Sequence, residues 1–407
     1  MGNNNTIVKE DIEMDNVVIV SGVRSPIGRF GGAFKDYSAS NLGATVIKEA
    51  VNRANIEPNV VQDVIMGCVG QIAEDAYLAR VSAIKAGLPI ETTAQTVNRL
   101  CSSGLQAIVT GMTTIQSGMA EVVVAGGSEN MSRYPYLTRD ARWGFRMGDR
   151  VIQDLLTTIL SDPFEKVHMG VTAENVANKY NISRKEQDEL AFSSQQRSIR
   201  AIKEGKFKEQ IVPIEIKDRK GRMKLIDTDE HPRENVTIES LSKLKPAFRK
   251  EGSVTAGNSS GINDGAAAMV LMAQSKAEKL GLLPMVKIVR AAIAGVEPSL
   301  MGTGPIPAVK KVLEKSELSL EDIDIVESNE AFASQAIAVS NELGFSTDTV
   351  NINGGAIALG HPIGATGCII SIKLIYEMIN NNLKYGLATL CIGGGQGLAV
   401  IFENVRL

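Results

Sequence analysis

The sequence has few of the residues that build disulfide scaffolds, aromatic binding platforms or membrane spans. Only 4 of its 407 residues are cysteine, and none forms a CxxC pair, which argues against a disulfide framework or a zinc ribbon. Aromatic residues make up 4% and the net charge is −3. No apolar run reaches the ~18 residues that a spanning helix needs. The sequence therefore predicts no membrane partner, no nucleic-acid partner, and a reducing, cytoplasmic location.

The N-terminal segment carries no clear targeting signal. Residues 1–15 hold one Lys, four acidic residues and no apolar core, so they fit neither a secretory signal nor an Arg-rich transit peptide. Residues 2–6 formally match the N-myristoylation pattern. The preferred interpretation is a floppy leader that precedes a native start at Met14.

Strand-like and helix-like segments alternate in two separate stretches of the chain, which predicts an α/β fold of two similar halves. Both stretches place glycine-containing turns between apolar strands and buried helices. The order predicts a mainly parallel sheet covered by helices on both faces. The predicted strands are 17–21, 64–69, 93–97, 121–125, 286–294, 323–327, 387–392 and 398–402, and the predicted helices are 42–54, 105–115, 307–315, 331–342 and 368–379. Gly126 and Gly127 are expected to end a strand, and Gly393–Gly397 to form a hairpin turn.

The segment between the halves differs in charge and predicts an inserted domain. Ser183 and Glu186 form a capping box for a helix that runs to Gly205. Residues 197–250 hold 15 Lys and Arg against 9 Asp and Glu, which fits a solvated insertion or a surface for a small polyanion such as a nucleotide phosphate. No GxxxxGK loop is present. The predicted domains are 1–130 with 245–284, 131–244 as the loop domain, and 285–407.

Two of the four cysteines lie where chemistry is possible. Cys101 lies at a strand-to-helix turn, where the helix dipole is expected to lower its pKa and favour the thiolate; the alternative is a small buried residue. Cys391 is followed by glycines that allow close approach of a ligand or merely form the hairpin. Cys68 and Cys368 are predicted to be core residues.

Three histidines and one asparagine complete the candidate groups. His361 lies in a glycine-rich loop whose backbone we expect to be exposed. Its imidazole suits a general base, and the alternative is a structural role. His168 precedes a helix and either donates to a ligand or caps the turn, whereas His231 is predicted to lie in a solvated loop. Asn329 is interpreted as a helix N-cap or as the holder of a catalytic water. The small residues of 255–268 fit either a ligand contact or a packed central helix.

The two candidate thiols, the imidazole and the asparagine together limit the classes of enzyme that the sequence fits. One thiol with an imidazole and an asparagine would fit a cysteine protease. A second glycine-flanked thiol has no role there, but it suits an enzyme that forms an acyl-thioester and also removes a proton from a carbon acid.

Four motifs in order resemble the thiolase family over residues 17–402. They are Val97-Asn-Arg-Leu-Cys101-Ser-Ser-Gly104, Asn329-Glu-Ala-Phe-Ala333, Gly360-His-Pro-Ile-Gly-Ala-Thr-Gly367 and Cys391-Ile-Gly-Gly-Gly-Gln-Gly397. The resemblance implies a thiolase-like fold and a reversible condensation of two acetyl-CoA to acetoacetyl-CoA and CoA through an acetyl-cysteine.

The resemblance also implies a role for each matching residue. Cys101 would be acetylated, His361 would activate it, and Cys391 would move the α-proton. Asn329 would hold a water, and the backbone N–H groups of Cys101 and Gly393 would form an oxyanion hole. The residues implied to lie along CoA are His168, Met169, Arg233, Ser260, Ala331 and Phe332.

The resemblance further implies CoA thioesters as substrates, no cofactor, no metal, and a homotetramer built from dimers. The alternatives are a degradative 3-ketoacyl-CoA thiolase with longer acyl chains and a non-catalytic CoA or lipid carrier. His168-Met169-Gly170 favours the short-chain activity, and retention of both reactive thiols and His361 argues against a carrier. Where relatives usually read Gln-Asn-Pro-Ala-Arg, this chain places Tyr77 and Leu78, which is expected to alter packing near the nucleophile turn or at a dimer interface.

Overall fold

The computed structural model describes residues 15–217 and 220–407, and within these ranges strands and helices alternate as the sequence predicts. The leader predicted before Met14, with its myristoylation pattern, lies outside the described residues. The strands β1 to β14 are Val17–Arg24, Gly28–Arg29, Asp63–Gly67, Thr93–Val97, Val122–Asn130, Tyr136–Leu137, Gln153–Asp154, Ile214–Lys217, Met223–Ile226, Asn263–Ala273, Val286–Gly295, Ile325–Ser328, Tyr385–Ile392 and Gln396–Asn404.

The helices connect and cover these strands. The helices α1 to α12 are Ala39–Arg53, Leu78–Ala86, Ser103–Gln116, Leu155–Ile159, Met169–Lys179, Arg184–Lys203, Ile238–Ser242, Gln274–Lys279, Pro305–Ser316, Ala333–Leu343, Ala356–Leu359 and Thr366–Asn380. The predicted capping box is confirmed at α6, where Ser183 and Glu186 bond each other's backbone N–H groups. No helix in the described ranges is both long and apolar enough to cross a bilayer.

One large sheet runs through both halves, in the order β12-β13-β14-β11-β1-β10-β5-β3-β4 with β2 on β10. The halves join where β1 pairs with β11. Only β12–β13, β3–β4 and β3–β5 are parallel among the described pairs of this sheet, and the rest are antiparallel. The prediction of a mainly parallel sheet is therefore wrong, because apolar periodicity shows that a strand is buried but not which neighbour it pairs with.

Two small-residue segments also differ from expectation. β5 does not end at Gly126 and Gly127 but continues to Asn130, since the missing Cβ atoms let it approach β10; a Cβ on Gly126 would lie 2.1 Å from the Ala267 carbonyl oxygen. Residues 263–273 form strand β10 at the centre of the sheet, not a central helix. The hairpin predicted around Gly393–Gly397 is confirmed by the antiparallel pairing of β13 and β14.

Helices α3 and α12 meet under the sheet, and their crossing positions the loops that precede them. The two helices contribute buried apolar side chains to the same core. A Cβ on Gly367 would lie 2.3 Å from the Leu105 backbone nitrogen, and one on Gly104 would lie 2.9 Å from that of Cys368. The N-terminal ends of both helices therefore lie side by side, which brings the residues just before them together.

Candidate active site

Cys101 lies in a tight turn between β4 and α3. Leu100 has a φ of 45°, a left-handed conformation that is uncommon for a residue other than glycine. The Leu100 N–H donates to Oδ1 of Asn98 at 2.9 Å, and Oγ of Ser103 donates to the Leu100 carbonyl oxygen at 2.7 Å. These bonds fix the partly buried thiol of Cys101 where it lines a large cavity.

The electrostatic environment of Cys101 is opposite to the one that the sequence predicts. Burial raises the pKa of the Cys101 thiol, a hydrogen bond from the Gly393 backbone opposes that rise, and the charge of Glu129 adds to it. The expectation of a lowered pKa is wrong, because burial is the largest influence on this thiol and it disfavours the charged thiolate. Cys101 thus needs a base that accepts its proton during the attack.

His361 lines the same cavity as Cys101, and the tautomer of its imidazole follows from its partners. Oγ1 of Thr366 donates to the Pro362 carbonyl oxygen at 2.9 Å and lies 2.7 Å from Nδ1 of His361. Because the hydroxyl has only one proton and is paired with Pro362, we assign the ring proton to Nδ1 of His361, which leaves Nε2 as an acceptor. Burial lowers the pKa of His361 to about 4, so the imidazole is neutral at pH 7.

The loop of His361 is buried, which corrects the expectation of an exposed loop; the residue is only 5% exposed. Its backbone N–H donates to Oδ1 of Asn263 at 3.0 Å. Gly360 has a φ of 106°, and a Cβ there would lie 2.4 Å from Cγ of Asn263. Only glycine allows this close approach, and it fixes the direction of the imidazole.

Asn329 follows β12 and lies behind the imidazole. Its Nδ2 lies 3.5 Å from Nε2 of His361, so the amide is in long hydrogen-bond contact with the imidazole. The interpretation of Asn329 as an N-cap is wrong, because α10 begins at Ala333 and Phe332 is at its N-cap position.

Cys391 and Gly393 approach Cys101 from the hairpin of β13 and β14. Cys391 is fully buried, and both burial and the nearby Cys101 raise the pKa of its thiol. A Cβ on Gly393 would lie 2.9 Å from Cε of Met169 and 3.3 Å from Cδ1 of Leu100. The backbone of Gly393 can therefore reach the nucleophile, as the glycine pattern suggested, and the same glycines also form the hairpin turn.

These groups share a cavity of about 720 Å³. It contains every predicted site residue except Asn329, which lies behind His361. The predicted residues on its wall are Cys101, His168, Met169, Arg233, Ser260, Ala331, Phe332, His361, Cys391 and Gly393. Apolar side chains also line it, so two thiols and a neutral imidazole face one largely apolar cavity. No cluster of His, Cys, Asp and Glu within the described residues has the make-up of a metal site.

Comparison with known proteins assigns this arrangement to a family. The family models of the thiolase N-terminal and C-terminal domains match residues 17–275 and 282–404. The chain belongs to the thiolase family. Its two matched segments together contain all the motifs that carry the resemblance.

Individual thiolases match over nearly the whole chain. A beta-ketothiolase of Cupriavidus necator is 52% identical over 96% of this chain and 99% of its own. An acetyl-CoA acetyltransferase of Syntrophomonas wolfei is 50% identical, with 95% and 98% covered.

Solved structures match as well. The Bacillus anthracis acetyl-CoA acetyltransferase superposes with a TM-score of 0.95 at 49% identity, with 96% of this chain and 99% of that chain covered. Human mitochondrial 3-ketoacyl-CoA thiolase superposes with a TM-score of 0.94 at 43% identity, with 96% and 100% covered. The thiolase fold is thereby confirmed.

His168 caps the turn, which is one of the two alternatives that the sequence left open, and donation to a ligand stays a prediction. Its Nδ1 accepts the Gly170 N–H at 3.0 Å and caps α5. The proton is then on Nε2, on a ring that lines the cavity and stacks on Phe248 at 4.7 Å between centroids. Burial lowers the pKa of His168, so a neutral imidazole donor borders the thiolase cavity.

His231 is not in a solvated loop, and that prediction is wrong. It lines the cavity, and its ring packs so closely on Gly261 that a Cβ there would lie 2.3 Å from Cε1 of His231. Burial, together with the charge of Arg233, lowers the pKa of His231 to about 4. The only sequence signal for this position is its proximity to Arg233.

Buried ion pairing holds the segment that carries His231 and Arg233. Arg24 and Asp229 are fully buried side chains joined by two hydrogen bonds of 2.7 and 2.9 Å. The neighbouring Glu230 accepts the backbone N–H groups of Arg29 and Ala33 at 3.2 and 3.0 Å. No sequence signal marks Arg24, Asp229, Arg29 or Phe30, since nothing along the chain links residues 24–33 to residues 229–233. The latter two line the cavity.

Tyr77 and Leu78, the departure from the usual family motif, separate in the structure. Tyr77 is 69% exposed, whereas Leu78 is fully buried in the core that surrounds α1 and α2. Leu78 therefore has a packing role in that core, and an effect of Tyr77 at a dimer interface stays a prediction.

Proposed function

We propose that this thiolase is an acetyl-CoA C-acetyltransferase, which reversibly condenses two acetyl-CoA to acetoacetyl-CoA and CoA. The observation that carries the proposal is the convergence of Cys101, Cys391 and the neutral imidazole of His361 on one cavity. One thiol can carry the acyl group while the other removes a proton from carbon, which no single-thiol site does.

In the first half-reaction, Sγ of Cys101 attacks the carbonyl carbon of acetyl-CoA. Nε2 of His361 accepts the thiol proton and then transfers it to the departing CoA sulfur. The backbone N–H groups of Cys101 and Gly393 would stabilise the oxyanion, and the contact between Gly393 and the Cys101 sulfur supports this assignment. The products are acetyl-Cys101 and free CoA.

In the second half-reaction, Cys391 would pass its thiol proton to His361, and the resulting thiolate would remove an α-proton from a second acetyl-CoA. The carbanion attacks the acetyl carbonyl carbon, a carbon–carbon bond forms, the bond from that carbon to the Cys101 sulfur breaks, and the sulfur takes the proton from His361. His361 and a water held by Asn329 would polarise the second thioester oxygen. The 3.5 Å separation of Nδ2 of Asn329 and Nε2 of His361 supports their joint action.

The remaining predicted residues would bind CoA. His168 and Ser260 line the cavity beside the reactive groups, and Arg233 adds the cationic group expected for the nucleotide end. Met169, Ala331 and Phe332 supply apolar wall. CoA thioesters are the substrates.

Three further expectations stay predictions. They are the homotetramer, the cytoplasmic location and the division into three domains.

The two alternative functions are less well supported. The relatives at about 50% identity include acetyl-CoA acetyltransferases, whereas the human 3-ketoacyl-CoA thiolase is 43% identical. A non-catalytic carrier would not require two thiols and a neutral base in one cavity.

A thiolysis assay across acyl chain lengths tests the proposal. Purified protein with CoA should cleave acetoacetyl-CoA with a higher kcat/KM than the C6 to C16 3-ketoacyl-CoA series, and it should condense acetyl-CoA alone. A maximum at C8 or longer would favour the degradative alternative, and no cleavage of any member would favour the carrier.

A further inference from the structure

Lys373 is a buried cation in the middle of α12, directly behind the active site. It is 2% exposed, and its Nζ donates to Oε2 of Glu327 at 2.8 Å and to the Gly354 carbonyl oxygen at 2.7 Å. Burial raises the pKa of Glu327 to about 7, although Lys373 opposes that rise. Glu327 is two residues before Asn329, and Gly354 begins the loop of His361, so Lys373 bridges the two segments that carry the amide and the imidazole.

Lys373 is one of the residues that line a second, much smaller cavity. Its volume is about 10 Å³, which is the size that holds one water molecule. Lys373, Ser328, Asn329 and Thr366 are among its lining residues. Asn329 therefore lines this small cavity and also contacts the imidazole of His361, which lines the active-site cavity.

The polar atoms around the small cavity have unused hydrogen-bonding capacity. Oγ of Ser328 and Oδ1 of Asn329 are buried and have no hydrogen-bond partner among the described residues. An ammonium group has three donors, and Lys373 uses two of them on Glu327 and Gly354. A buried water with two to four polar partners is the usual way to satisfy such groups.

We propose that Lys373 is a positioning residue for the condensation step, acting on Asn329 through one water held in this cavity. The water accepts from Nζ of Lys373 and donates to Oδ1 of Asn329. This bond directs Oδ1 away from His361 and Nδ2 toward it. The opposite amide orientation would place two acceptors, Oδ1 and Nε2, against each other, because Nδ1 of His361 holds the ring proton.

The inference rests on the proposed function, and it predicts different effects on the two half-reactions. Acetyl transfer to Cys101 uses the thiol, His361 and the backbone of Gly393, which Lys373 does not touch. Condensation also requires Asn329. Loss of Lys373 should therefore slow condensation and spare acetyl transfer, which a merely structural role would not do.

The decisive variants are Lys373→Met and the double variant Lys373→Met with Glu327→Gln. The double variant removes the cation and the carboxylate together, so no unpaired charge is left buried. Condensation of acetyl-CoA should fall about tenfold in kcat, the effect of losing one hydrogen bond. Exchange of labelled CoA into acetyl-CoA, which reports acetyl transfer alone, should change less than about twofold, and KM should be unchanged.

Lys287→Met is the matched control, since Lys287 is partly exposed, pairs with Glu403 and lines neither cavity; it should leave both rates unchanged. Equal loss of condensation and exchange, or unchanged condensation in a folded double variant, would overturn the inference. A high-resolution crystal structure of the native protein provides an independent test, because it should show one water bonded to Nζ of Lys373 and Oδ1 of Asn329. A dry cavity contradicts the inference. A native protein inactive in both reactions would instead reject the proposed function.

Discussion

Nδ1 of His361 donates to Oγ1 of Thr366 across 2.7 Å, and that hydroxyl donates in turn to the Pro362 carbonyl oxygen. The chain of bonds has one direction, because the carbonyl can only accept. It fixes the ring proton on Nδ1 and presents the lone pair of Nε2 to the reacting groups. Thr366 therefore sets the tautomer of the His361 imidazole, although Thr366 itself does not line the active-site cavity.

Thr366→Val should therefore impair catalysis without impairing binding. The valine keeps the shape but removes the hydroxyl, so the ring loses the partner that selects its tautomer. We expect kcat to fall at least about tenfold with KM within about twofold. Thr366→Ser is the matched control and should keep most of the activity. Equal activity of the valine and serine variants would remove this role.

The thiol of Cys101 should titrate above its ordinary range. Since burial raises its pKa, the rate of alkylation by iodoacetamide should keep increasing with pH beyond about 8.5, the usual value for a free cysteine. A stopped-flow or quench series from pH 6 to 10 gives the midpoint, with Cys101→Ser as the blank. A plateau between pH 6 and 7 would indicate a thiolate–imidazolium pair and contradict the neutral resting state.

Arg233 should contribute to substrate binding rather than to chemistry. Its guanidinium lies at the cavity within the basic insertion, where it meets the nucleotide end of CoA in the proposed function. Arg233→Ala should raise KM several-fold with little change in kcat, the pattern of lost uniform binding. Arg142→Ala, an exposed arginine outside the cavity, is the control. An unchanged KM for CoA would rule out this role.

Much of this arrangement follows from the sequence, and the part that does not has a physical reason. Glycine-flanked cysteines and histidine predict where a nucleophile and a base lie, because turn chemistry is local. The rise in the pKa of Cys101 depends instead on burial in the folded chain and, to a smaller extent, on the charge of Glu129. A local dipole argument alone therefore gives the wrong sign.

Pairing between distant segments is the other part that the sequence does not reveal. The apolar run of β1 predicts a buried strand, but it does not reveal that β1 pairs antiparallel with β10. The ion pairs Arg24–Asp229 and Lys373–Glu327 join residues far apart in the chain. From the sequence alone, a lysine in an apolar helix such as Lys373 is expected to be solvated, because its buried partner Glu327 lies in a distant segment.

The two thiols of the site are expected to form a redox-sensitive pair. Cys101 and Cys391 line one cavity, and the charge of one raises the pKa of the other. Diamide should inactivate the enzyme by taking up the two hydrogens that the thiols lose on forming a disulfide, and dithiothreitol should restore activity. Peptide mapping should find a Cys101–Cys391 cross-link. Sulfenic or sulfinic acid on Cys101 without any cross-link would show that the thiols are held apart.

Identification of the acetylated residue tests the central claim most directly. Native protein is incubated with acetyl-CoA labelled in the acetyl group, quenched in acid and mapped by mass spectrometry, with Cys101→Ser in parallel. The account predicts one acetyl group on Cys101 in the native protein, and in the serine variant no thioester label and a loss of most turnover, since an alkoxide is far harder to form than a thiolate. A label on Cys391, or on no cysteine at all, would contradict it.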